Sequence, residues 1–210
     1  MLIVTIYVDD IVYTGNEIEM LKCFKEDMMR KYEMTNLGLL HHFLGMGVIQ
    51  TTSSIFVQQK KYASALLNKF GLTTCNPVLT PLITNDKLSK DDASLLARFM
   101  HCPTNKDFGT AKRVLRYIKG TLDYGLEYVK GKQPVLVGYC DSDWCGSVDD
   151  MRSTSGYAFS FGSGVFSWAS VKKNYVALST IEAEYISASK ATAQAIWLRF
   201  VLEDFGEMQL

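Results

Sequence analysis

The sequence predicts an α+β fold in two lobes, and three observations carry that prediction. Leu2 to Tyr13 is β-branched and aromatic, which reads as two strands joined by a tight turn. Glu17 to Tyr32 repeats Ile18, Met20, Leu21, Phe24, Met28 and Met29 near helical spacing, with Lys22, Lys25, Glu26, Arg30 and Lys31 between them. In the last third, three strand-like runs precede one long helical pattern. With 210 residues and 48% hydrophobic content, the chain can bury the core of one large domain or two small ones.

The other elements follow in order. Phe43 to Ile49 and Ile55 to Val57, separated by Thr51-Thr52-Ser53-Ser54 and containing Gly45 and Gly47, read as a second hairpin. Gln59 to Phe70 sets Tyr62, Leu66, Leu67 and Phe70 on one helical face, with Gly71 as its stop. Thr73 to Asp92, with Pro77 and Pro81 among polar residues, reads as an extended tether. Ala93 to His101 and Phe108 to Lys119 read as short helices. Val135 to Cys140, Gly156 to Phe161 and Val165 to Ala169 are strand candidates. Ser179 then stands at capping-box spacing from Glu182, opening the long helix that runs to Phe205-Gly206.

Charge excludes one class of function and leaves another open. The 22 basic and 22 acidic residues cancel, so no global basicity draws this chain to a polyanion; nucleic-acid contact has to come from local sites. The five cysteines are scattered without zinc-ligand spacing, as expected of reduced thiols in an intracellular protein, cytoplasmic or nuclear and not secreted. The apolar opening Met1 to Val8 lacks a basic leader and a small-residue cleavage site, and no apolar run approaches the length of a membrane span. No membrane partner is expected.

Two acidic constellations stand out. Asp9-Asp10 sit together at the tip of the first hairpin, where adjacent like charges repel. They form either a solvated turn or, with a hard divalent cation relieving the repulsion, a metal-binding pair. Asp141 at the end of a strand and Glu184 within the long helix could likewise be surface acids or two arms of a carboxylate cluster. Asp143 and Glu182, each two residues away, are the fallback choices. Among smaller signals, Lys112-Arg113-Val114-Leu115-Arg116-Tyr117-Ile118-Lys119 is either a solvated face or a track for a phosphate backbone. Trp168 and Trp197 are expected in the core.

The residues around both constellations resemble one family. Tyr7-Val8-Asp9-Asp10 in a strand-turn-strand, followed by a helix and a glycine-containing hairpin, resembles the reverse transcriptase palm of copia-type (Ty1/copia) LTR retrotransposons. Gly138-Tyr139-Cys140-Asp141-Ser142-Asp143-Trp144, Arg152-Ser153-Thr154-Ser155-Gly156-Tyr157, Ser167-Trp168, Ala177-Leu178-Ser179-Thr180 and Glu184-Tyr185 resemble the RNase H of the same elements.

The resemblance implies a partial reverse transcriptase palm and thumb followed by an incomplete RNase H-like mixed sheet with a long helix. The implied segments are a palm hairpin and thumb remnant over 1–72, a tether over 73–92, a truncated connection over 93–131 and a partial RNase H-like domain over 132–210. It casts Asp9, Asp10, Asp141 and Glu184 as Mg²⁺-binding catalytic carboxylates, and His42-Phe43-Leu44-Gly45 as the start of a hairpin gripping the primer strand. The partner it implies is an RNA/DNA hybrid or primer-template nucleic acid. The reactions are RNA-directed DNA synthesis and hybrid cleavage in a parent Pol polyprotein.

The family's remaining catalytic carboxylates lie upstream of the first hairpin and downstream of the long helix, and a helical block is missing between Asp92 and Ala93. The isolated chain is therefore expected to be inactive. The alternative, from another class, is a host-retained nucleic-acid-binding or interaction module without catalysis.

Overall fold

A computed structural model describes residues 1–82, 105–146 and 150–209. The fold class is α+β, with four helices and antiparallel sheets among those residues. The expected helix at Ala93–His101 lies outside them. The chain forms two compact units, Met1–Phe43 and Leu44–Leu210.

In the first unit, β1 (Leu2–Tyr7) and β2 (Asp10–Gly15) pair antiparallel from Leu2 opposite Gly15 to Tyr7 opposite Asp10. The ends of this ribbon are tied where the Met1 amino group donates to Asn16 Oδ1 at 2.6 Å. Helix α1 (Ile18–Lys31) follows, and its apolar spacing is the one the sequence predicts. It packs thinly. Tyr13 meets Phe24 with ring centroids 5.1 Å apart, and no residue of the helix is fully buried. A two-residue strand, β3 (His42–Phe43), closes the unit, with Phe43 edge-on to Tyr7 at 6.3 Å.

The second unit begins with the hairpin of β4 (Met46–Gln50) and β5 (Ser54–Gln58). Thr51 builds its turn: the amide donates to the Ser54 carbonyl at 2.8 Å, and Oγ1 accepts from the Ser54 amide at 2.8 Å. Helix α2 (Lys60–Lys69) buries Leu67 and ends at Gly71, whose φ of +66° is left-handed. There Gly71 N–H donates to Asn68 and Leu72 N–H to Leu67, the double closure that such a glycine permits.

Helix α3 (Asn105–Gly120) uses its basic residues in a way the sequence left open. Arg113 donates to Thr80 Oγ1 at 3.0 Å, and Arg116 Nε donates to the Asn76 carbonyl at 2.8 Å. The first part of the expected tether is therefore strapped onto α3, and these two arginines belong to packing rather than to a solvated or phosphate-tracking face. Strand β6 (Leu126–Val129) then pairs with β5, from Ser54 opposite Val129 to Val57 opposite Leu126.

A three-stranded sheet of order β7-β8-β9 comes last: β7 (Leu136–Ser142), β8 (Thr154–Phe161) and β9 (Gly164–Lys172). The resemblance implies a mixed sheet, but among the described residues these three strands pair antiparallel, because each is hydrogen-bonded to its neighbour in sequence. Helix α4 (Thr180–Asp204) lies across one face. It buries Ala183, Ser187, Ala191 and Leu198, a line of mostly small side chains that lets the helix axis come close to the strands. Phe159 and Leu136 meet it from the sheet.

Trp168 and Trp197, expected in the core, are 65% and 57% exposed. Trp168 lies on β9 opposite Ala158, on the face away from α4, and Trp197 precedes the buried Leu198 on the outer side of the helix.

Candidate functional site

The Asp9-Asp10 hairpin is built by a two-residue turn, Val8-Asp9, with Asp10 already the first residue of β2 and directly opposite Tyr7. Val8 takes a φ of +52°, a region that β-branched residues rarely enter and where turns of this kind favour glycine. The turn therefore stores strain at the residue next to the two acids. Both aspartates are exposed.

At the second constellation, local hydrogen bonds separate the preferred acids from the fallback ones. Asp143 is occupied by the loop after β7: its carboxylate accepts from the Thr154 amide, while its own amide donates to the Thr154 carbonyl at 3.1 Å. Glu182 serves the start of α4, with its carboxylate reaching one residue beyond the N-cap amide that a capping box would use. The Ser179 hydroxyl accepts from the Glu182 amide at 3.2 Å, and Glu182 Oε2 accepts from the Leu178 amide at 2.6 Å. Asp141 and Glu184 are exposed and carry no such side-chain duty among the described residues.

What joins their elements is Ser187, a residue that no sequence signal picked out. Its buried hydroxyl donates to the Asp141 carbonyl at 2.7 Å and lies 3.4 Å from the Gly156 carbonyl, pinning α4 to β7 at Asp141 itself. Glu184 precedes Ser187 by one helical turn. Ser187 thus brings the strand that carries Asp141 and the helix that carries Glu184 together at the end of β7.

The second unit also buries polar side chains. Ser153, Ser155, Ser187 and Lys173 are all buried, and the Ser142 and Ser155 hydroxyls lie 3.1 Å apart. Among the described residues, Lys173 Nζ has no hydrogen-bond partner. Burial pushes its pKa below the usual lysine range, and the nearby Lys190 ammonium adds to the effect. The Trp144 indole donates to the Ala177 carbonyl at 3.0 Å, fastening the loop after β7 to the approach to α4. Farther along the helix, a cavity of about 410 Å³ opens beside β7, lined by residues including Gly138, Cys140, Ala191 and Arg199.

Mg²⁺ is a hard cation that demands near-octahedral oxygen ligation, and two-metal catalysis needs several such ligands. Among the described residues, no three His, Cys, Asp or Glu side chains converge in a way that could hold a metal ion. Two carboxylates stand at each place, so neither pair by itself fits a two-metal centre. No helix of the described residues is long and apolar enough to cross a membrane.

Comparison with known proteins gives the following. Residues 1–84 match the family described as "Reverse transcriptase (RNA-dependent DNA polymerase)". The chain is 30% identical over 244 residues to the retrovirus-related Pol polyprotein from transposon TNT 1-94 of Nicotiana tabacum, covering 98% of this chain and 18% of that one. It is 32% identical over 231 residues to the corresponding polyprotein from transposon RE2 of Arabidopsis thaliana, covering 96% of this chain and 16% of that one. A third relative, secreted RxLR effector protein 161 of Plasmopara viticola, is 46% identical over 104 residues, half of this chain and 73% of the effector. The chain thus spans less than a fifth of the Pol polyproteins it matches. No solved structure matches it.

Proposed function

The chain belongs to the copia-type retrotransposon Pol polyprotein family, and we propose that it is the stretch joining the end of the reverse transcriptase to the start of an RNase H domain. The observation that carries this reading is the reverse transcriptase match over residues 1–84, which takes in the strained Asp9-Asp10 turn. The 244 positions aligned with the tobacco polyprotein exceed the 210 residues of this chain, so that relative holds residues without a counterpart here. A missing internal block would leave that trace.

In this reading Asp9 and Asp10 are the part of a polymerase metal site that the chain retains, and Asp141 and Glu184 the part of a nuclease site. Bound Mg²⁺ would supply charge neutralisation at phosphodiester oxygens. The freedom of Asp141 and Glu184 from local hydrogen bonds supports choosing them over Asp143 and Glu182. With two acids at each place, the chain contributes binding and orientation toward nucleic acid while synthesis and hybrid cleavage belong to the parent polyprotein.

The test is a filter-binding titration of an RNA/DNA hybrid at rising salt. Retention at low salt that weakens as salt rises is expected, because phosphate contacts release counterions. Failure to bind at low salt would overturn the nucleic-acid reading.

A further inference from the structure

Strand β6 has two sides, and both are used. On one it pairs with β5, and the ladder is extended where the Lys130 amide donates to the Ser53 carbonyl at 2.7 Å. On the other it meets the turn between β8 and β9. There the Tyr128 hydroxyl donates to the Val165 carbonyl at 2.7 Å, and the Val129 amide donates to Ser163 Oγ at 2.7 Å.

Gly164 fits between them only because it lacks a side chain. A Cβ there would stand 2.6 Å from the Tyr128 ring and 3.1 Å from the Glu127 carbonyl, closer than carbon atoms pack. Desolvation of the half-buried Tyr128 phenol raises its pKa above the usual tyrosine value. These bonds cross between the two sheets of the second unit.

We infer that Tyr128, Ser163 and Gly164 form a clasp that makes the β4–β5 hairpin and the α4-backed sheet open as one body. The hairpin has little other reason to share the fate of β7, β8 and β9. Its own buried residue is Val48, and α2 covers it through Leu67, neither of which belongs to the Phe159–Ala191–Leu198 core. Without the clasp, β4, β5 and β6 are a small sheet of the kind that frays separately. With it, the hairpin inherits the protection of the larger layer. The inference rests on contacts within this chain and holds whatever the chain binds.

Native-state hydrogen exchange on the full chain tests it, reading the amides of β5 and β8 side by side. In the unmodified chain the two strands should exchange with the same protection. Tyr128→Phe, which keeps the ring and removes one hydrogen bond, should speed exchange in β5 by about fivefold while β8 holds, given the usual worth of such a bond. Gly164→Ala should separate the strands further. Ser163→Ala serves as a third variant if Gly164→Ala does not fold. Unequal protection in the unmodified chain would overturn the clasp. So would variants in which β5 is unchanged, or in which β5 and β8 accelerate equally.

Discussion

The two acidic constellations are held in opposite ways. Asp9 and Asp10 are neighbours by covalent connection, so a hairpin with a thin backing suffices to keep them together, and strain at Val8 is carried by the turn alone. Asp141 and Glu184 come from a strand and a helix, and their relation exists only while α4 lies on β7, β8 and their core. The first site is therefore local and tolerant of damage elsewhere. The second is a property of packing and fails when packing fails.

The sharpest way to break that contrast is Phe159→Ala. Phe159 is 3% exposed and lies at the centre of the α4 contact, so its loss should cost about 3–5 kcal/mol. Thermal unfolding followed by circular dichroism should show the second unit melting early. The β1–β2 hairpin should keep its amide protection. Simultaneous loss of both would mean that the first unit leans on the second.

Lys173→Met comes next. Replacing a buried ammonium that has no partner among the described residues should stabilise the second unit by about 1–3 kcal/mol at neutral pH. The sign of the pH effect is fixed by linkage. Because the folded-state pKa of Lys173 is lowered, the unfolded chain binds more protons between the two values. Stability of the unmodified chain should then rise with pH from the lowered value up to the ordinary lysine value, with the full penalty present below. Denaturant titrations over that window should be flatter in the variant.

Glu182→Ala and Glu184→Ala sharpen the assignment of roles. Loss of the capping carboxylate at Glu182 should cost about 1 kcal/mol, whereas the exposed Glu184 should cost a few tenths or nothing. Equal costs would remove the reason for preferring Glu184. The smallest effect belongs to the first site. Val8→Gly should relieve the left-handed turn while adding backbone entropy to the unfolded state, for a net gain of about 0.5 kcal/mol in chemical denaturation.

The sequence made local features legible and long-range ones not. Helix α1 follows directly from the spacing of Ile18, Leu21, Phe24 and Met28, and the N-cap of α4 from Ser179 three residues before Glu182. Strand β6 did not show, since Leu-Glu-Tyr-Val is too short to declare a period and becomes a strand only by pairing with β5. The exposure of Trp168 was equally hidden, because hydrophobicity does not say which face of a sheet α4 will cover. At the site, residue types pointed to Asp141 and Glu184 but equally to their neighbours. Only hydrogen bonding to Thr154 and Leu178 told them apart. Ser187 gave no signal, since a serine inside a helix is ordinarily a solvent-facing residue.

The most direct measurement is a Mg²⁺ titration on an end-labelled RNA/DNA hybrid, comparing the unmodified chain with Asp141→Asn on native and denaturing gels. The account predicts a retarded hybrid with no cleavage above the level of the variant. Mg²⁺-dependent cleavage by the unmodified chain, abolished in Asp141→Asn, would contradict it.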